Sequence, residues 1–132
     1  MIPDTSVVIA AFASWNEKHE AAVEALGDVR DLIAHVELEA YSVLTRLPEP
    51  LRAETGLVAE YLREDFSGER LVLPGLERRG LVERLANLSI SGGAVYDASV
   101  AATADHYGRT LLSCDLRAAR IYEKLGIDVA YL

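Results

Sequence analysis

Ala94 to Tyr131 reads AVYDASVAATADHYGRTLLSCDLRAARIYEKLGIDVAY, and the reading of this stretch decides the fold. Ala94 to Tyr107 is Ala-rich and stops at Gly108, so it reads as a helix with a glycine terminator. Thr110 to Ser113 (TLLS) reads as a short strand. Leu116 to Leu125 is a second helix, stopped by Gly126, and Ile127 to Tyr131 is a closing strand. Two strands joined through a helix pair in parallel, because a parallel pair needs a crossover connection.

The rest of the chain repeats this alternation. Met1 to Asp4 is a short start, in which Pro3 lacks an amide donor and weakens a central strand. An apolar helical stretch, Thr5 to Ala13, follows. Asn16 to Leu26 has apolar residues at helical spacing and ends at Gly27. Asp31 to Ala34 reads as a strand, and Val36 to Leu47 as a helix ended by Pro48 and Pro50. Arg52 to Phe66 is helical, and Leu71 to Leu73 is a strand bounded by Pro74 and Gly75. Leu76 to Leu88 is expected to place Leu76, Leu81, Val82, Leu85 and Leu88 on one face. The expected architecture is α/β, with a central, mostly parallel sheet of about four to five short strands flanked by helices on both faces. No repeat, low-complexity tract or linker divides the 132 residues, so residues 1–132 are expected to form one domain.

Half of the chain is apolar and about a quarter charged, as in ordinary globular proteins. The single cysteine, Cys114, allows no internal disulfide, which suits a reducing compartment. No signal-like leader and no membrane-length apolar run is seen, so a cytoplasmic location is expected. The formal net charge is −8. That argues against a simple basic nucleic-acid binder. It leaves either a basic partner or an acidic site that holds cations, since a bound divalent ion reverses the local sign.

Four carboxylates stand where a parallel sheet places its functional groups, at or near the carboxyl ends of strands. Asp4 closes the first strand, in Asp4-Thr5-Ser6. Asp115 closes the TLLS strand, in Ser113-Cys114-Asp115. Each alone is more often a helix cap than a ligand. Asp97 lies on the helix after Gly93, among apolar and small residues, and a carboxylate buried there needs partners or a metal. Glu39 sits between Leu38 and Ala40 on a helix of its own. Together these oxygens suit Mg²⁺ or Mn²⁺. Two such ions, roughly 4 Å apart, activate water and stabilise the leaving oxygen in phosphodiester cleavage. Thr5, Ser6 and Ser113 add hydroxyls that orient ligands.

At these residues the sequence resembles the PIN domains, and within them the VapC ribonuclease toxins of bacterial toxin–antitoxin pairs. The resemblance runs through Asp4-Thr5-Ser6-Val7, then Glu39-Ala40-Tyr41-Ser42-Val43-Leu44-Thr45-Arg46-Leu47-Pro48. It continues through Tyr96-Asp97-Ala98 with its Ala-rich helix and Leu111-Leu112-Ser113-Cys114-Asp115, and closes over Ala118 to Val129. It implies that Asp4, Glu39, Asp97 and Asp115 are the acidic, metal-binding catalytic quartet. It also implies Mg²⁺- or Mn²⁺-dependent endoribonuclease activity, RNA as substrate, a homodimer and a VapB-type antitoxin. An acidic pocket suits an antitoxin tail carrying Arg or Lys, since guanidinium binds carboxylates well.

Among the cations, Arg117 ranks first for RNA contact, because it follows Asp115 by two residues. Arg46, at the end of the Glu39 helix, is the second candidate, with Arg52 near it. His19, His35 and His106 lack metal-ligand spacing and read as structural. Cys114 reads as a small buried residue, and Trp15 and Tyr41 read as core or interface side chains. Two alternatives are a receiver-type signalling domain and a catalytically inactive PIN binding module. The first lacks the acidic pair after strand one and the late lysine that such a domain wants.

Overall fold

The structure is a computed structural model that describes all 132 residues, Met1–Leu132. Five short strands alternate with seven helices. The amino-terminal half contains β1 (Ile2–Pro3), α1 (Thr5–Phe12), α2 (His19–Leu26), β2 (Leu32–Ile33), α3 (Ala34–Arg46) and α4 (Thr55–Asp65). The remainder contains β3 (Arg70–Leu71), α5 (Gly75–Asn87), α6 (Ala94–His106), β4 (Leu111–Ser113), α7 (Ala119–Leu125) and β5 (Val129–Tyr131).

All pairings are parallel, but they form two sheets where a single sheet of four to five strands was expected. One sheet has the order β1-β4-β5, and the other pairs β2 with β3. Pro3 explains the division. The amides of Ile2 and Asp4 turn towards β4, bonding Thr110 O at 2.9 Å and Leu112 O at 2.8 Å. Amides along a strand alternate between its two edges. Pro3 therefore faces the edge beside β2, and offers no N–H there.

The helices cover the sheets and share one core. Val7 and Val8 of α1 join Val36, Ala40 and Leu44 of α3, Leu85 of α5, Ala101 of α6 and Leu125 of α7. Two turns shorten helices relative to the sequence reading. The Asn16 side chain accepts from Lys18 N at 2.8 Å, which delays α2 to His19. Asp115 does the same for Arg117 N, also at 2.8 Å, ahead of α7.

The expected face of α5 is only half right. Leu81 and Leu85 are buried, but Leu76 is 79% and Val82 66% exposed. At about 100° per residue, Leu76 points away from the Leu81–Leu85–Leu88 stripe and Val82 falls on its border. The reading of α6 as largely buried also needs correction. Ala98, Val100, Ala101, Thr103 and Ala104 are inside, whereas Tyr96 is exposed and Asp97 only partly covered. Alanine fits both environments, so composition did not show which side is wet. Trp15 and Tyr41 are exposed, not core, and Cys114 is only half-buried. No helix is long and apolar enough to cross a membrane.

Candidate active site

The carboxyl ends of β1 and β4 lie side by side, so the segments leaving them meet. Asp4 caps α1 and accepts from Val7 N through Oδ1 at 3.3 Å. It is 3% exposed, so any charge on it is poorly solvated. Burial raises its pKa above the usual carboxylate value. Hydrogen bonds from Ser113, Ser6, Tyr122 and the Val7 amide pull in the opposite direction. Ser6 donates to Oδ1 while its Oγ accepts from Cys114 N at 2.8 Å, which ties α1 to the end of β4. Tyr122, on α7, donates to Oδ2 at 2.9 Å. Asp4 is thus a helix cap and a buried, braced acceptor at the same time.

Asp115 lies two residues beyond β4. Its amide donates to Ser113 Oγ at 3.0 Å, and Ser113 is fully buried. Its Oδ1 accepts from Arg117 Nε at 3.2 Å. Glu39, on α3, accepts from His35 Nε2 at 2.9 Å, one helical turn earlier. The His35 ring in turn stacks on Tyr96, with centroids 5.4 Å apart and planes 4° from parallel.

Asp97 lies on the same arc of α6 as Val100, Ala101 and Ala104, but in the first turn, where the fold opens. Its pKa is pushed up to about 6, first by burial and then by the charges of Glu39, Asp115 and Asp4; Arg117 opposes the shift. No hydrogen bond offsets this crowding.

Asp4, Glu39, Asp97 and Asp115 line one cleft of about 40 Å³, with Thr5, Ser6 and Tyr122. No three acidic, histidine or cysteine side chains are already gathered in metal-ligating geometry. The donor set still fits a hard cation. It is all oxygen, comes from four chain segments, and includes one carboxylate whose charge is opposed by three others. Arg117 stands at the rim, with its side chain 94% exposed. Arg46 is exposed in the last turn of α3, about 10 Å along the helix from Glu39, and does not line the cleft.

Two residues beside the carboxylates lie outside the site as read from the sequence: His35 reads as structural and Tyr122 is not singled out. His35 had a local signal, since it precedes Glu39 by four residues on one helix. Tyr122 had none, because 118 positions separate it from Asp4.

Residues 1–124 match the family model of the PIN domain. The chain belongs to the PIN-domain family. Among PIN proteins it is similar to Ribonuclease VapC40 of Mycobacterium tuberculosis, with 50% identity over 96% of this chain and 95% of the relative. It is 41% identical to Ribonuclease VapC27 of the same organism, over 96% of this chain and 92% of that one. It is therefore a PIN protein of the VapC type. A solved structure titled "Structure of FitAB bound to IR36 DNA fragment" shares the fold, with a TM-score of 0.70 and 19% identity, over 98% of this chain and 93% of that one. Relatives named as ribonucleases do not favour a receiver-type domain or an inactive binding module.

Proposed function

We propose that this chain, over residues 1–132 as one PIN domain, is a metal-dependent endoribonuclease and the toxin of a type II toxin–antitoxin pair. What carries this reading is that carboxylates from four separate segments line one cleft. The VapC-named relatives support the choice of RNA. The reading includes a VapB-type antitoxin, a homodimer and a cytoplasmic setting.

Asp4, Glu39, Asp97 and Asp115 would hold Mg²⁺ or Mn²⁺. The cation supplies, when bound, the positive charge that makes water a nucleophile and offsets negative charge growing on the phosphate. The chain's own contribution is to position these groups. Hydrogen bonds from Ser6, Ser113 and Tyr122 favour the ionised form of Asp4 and so oppose the effect of its burial. Thr5 adds a hydroxyl on the cleft wall. His35 orients Glu39 through the 2.9 Å bond. Asp97 has the most to gain from a cation, because three carboxylates oppose its ionisation. Arg117 offers its exposed guanidinium to a phosphate beside the cleft, and Arg46 offers a contact further along the strand.

Chelator-stripped protein should leave RNA intact, and added Mg²⁺ or Mn²⁺ should restore cleavage. Asp4→Asn should lose cleavage while keeping its fold, since Asn also caps helices. Undiminished cleavage in chelator would reject the cation, and full activity in Asp4→Asn would reject the quartet.

A further inference from the structure

The carboxylate cleft has room for ions and water but not for a nucleotide. At about 40 Å³ it is far below the roughly 300 Å³ at which ligand pockets begin. A strand cut there must lie outside it. A second depression, of about 890 Å³, adjoins it and shares two of its walls, Ser6 and Asp115. That volume falls within the roughly 300–1,000 Å³ usual for ligand sites.

Trp15 is 51% and Leu116 74% exposed, so an indole and an apolar side chain stand in the open. Lys18 and Arg117 bring two cations to the same groove, beside the carboxylates of Glu17 and Asp115, the second of which already bonds Arg117 Nε at 3.2 Å. The backbone of the loop that carries Trp15 is pinned at the next residue, Asn16. Asn16 N donates to Ala13 O at 2.9 Å, and Asn16 Oδ1 accepts from Lys18 N. An exposed aromatic with cations beside it stacks a base and contacts the neighbouring phosphates, which is how single-stranded nucleic acid is bound.

We propose that this groove is a single-stranded RNA subsite in which a base next to the scissile phosphate stacks on Trp15, with Lys18 and Arg117 on the neighbouring phosphates. The choice of RNA rests on the ribonuclease reading above; the groove's chemistry does not.

Trp15 is the only tryptophan, so its fluorescence reports this contact alone. The test titrates Asp97→Asn protein in Mg²⁺ with a short mixed-sequence oligoribonucleotide, and separately with the same backbone carrying abasic sites. Saturable quenching by the first and not the second is expected. Trp15→Ala should weaken oligonucleotide binding, followed by a label on the RNA, roughly tenfold, and Trp15→Phe much less. In protein with Asp97 intact, Trp15→Ala should raise KM for cleavage more than it lowers kcat. Equal quenching by the abasic strand, or none by either, overturns the subsite. Quenching by an Arg-rich peptide but not by RNA overturns it too, and gives the groove to a protein partner. Cleavage with unchanged KM in Trp15→Ala removes the subsite and leaves the nuclease. Quenching without any cleavage by the unaltered protein removes the nuclease and leaves the subsite.

Discussion

Tyr122 donates its phenolic hydrogen to Asp4 Oδ2 at 2.9 Å, across nearly the whole length of the chain. Both residues are almost fully buried, at 2% and 3% exposure. The bond is one of several that favour ionised Asp4, against the upward pull of burial on its pKa. Tyr122→Phe should therefore raise the Asp4 pKa further and weaken the protein. A hydrogen bond to a buried charge is worth about 1–3 kcal/mol, read by denaturant unfolding at neutral pH. The same variant should need more Mg²⁺ for half-maximal cleavage. Unchanged stability and unchanged Mg²⁺ demand would show that Ser6 and Ser113 suffice.

Asp97 gives a prediction with a definite sign. Its pKa is raised from 3.8 to about 6, so the folded protein binds this proton more tightly than the unfolded chain does. Below about pH 3.8 both states are protonated and the group contributes nothing. As pH rises through about 6, folding must support an ionised Asp97 facing Glu39, Asp115 and Asp4, and stability falls. Cation-free Asp97→Asn should therefore be more stable than the parent above pH 6, by about 1 kcal/mol once solvent screening of a half-open group is allowed for. The advantage should vanish near pH 4, and saturating Mg²⁺ should stabilise the parent but not the variant. Unfolding curves across pH, with and without Mg²⁺, measure this. A difference independent of pH would contradict it.

Gly68 locks the second sheet. Its amide donates to Arg30 O at 2.9 Å, and Asp31 Oδ1 accepts from the next amide, Glu69 N, at 2.8 Å. A Cβ on Gly68 would meet the Arg30 carbonyl carbon and oxygen at 2.9 Å and run into the Asp31 carboxylate. Gly68→Ala should cost about 1–3 kcal/mol, because backbone cannot yield as a flexible side chain does. Cleavage at temperatures well below unfolding should be little changed, since the site belongs to other segments. A thermal unfolding midpoint within a degree or so of the parent would contradict the close approach.

Three of the four carboxylates that line the cleft stand out in the sequence by breaking a local pattern, and Glu39 by the family resemblance. Asp4 and Asp115 sit at the ends of strands, and Asp97 interrupts an alanine-rich helix. The partners were less legible for physical reasons. His35 is one helical turn from Glu39, so helix geometry could reveal it, whereas Tyr122 meets Asp4 only through tertiary packing. Trp15 was read as core or interface, because aromatic residues are usually covered; the Asn16 turn holds it outside. Alternation of strands and helices gave the parallel architecture. It did not reveal that one missing amide, at Pro3, separates β1 from β2. Leu76 and Val82 show the converse error, in which apolar identity was taken for a shared face.

Cleavage of RNA at the acidic cleft, with the help of a divalent cation, is open to direct measurement. Total RNA should be incubated with the protein in Mg²⁺ or Mn²⁺, and the new ends mapped against an Asp97→Asn control. Discrete new ends that need both the cation and Asp97 are expected. Identical ends from Asp97→Asn, or none from the parent with either cation, would contradict the account.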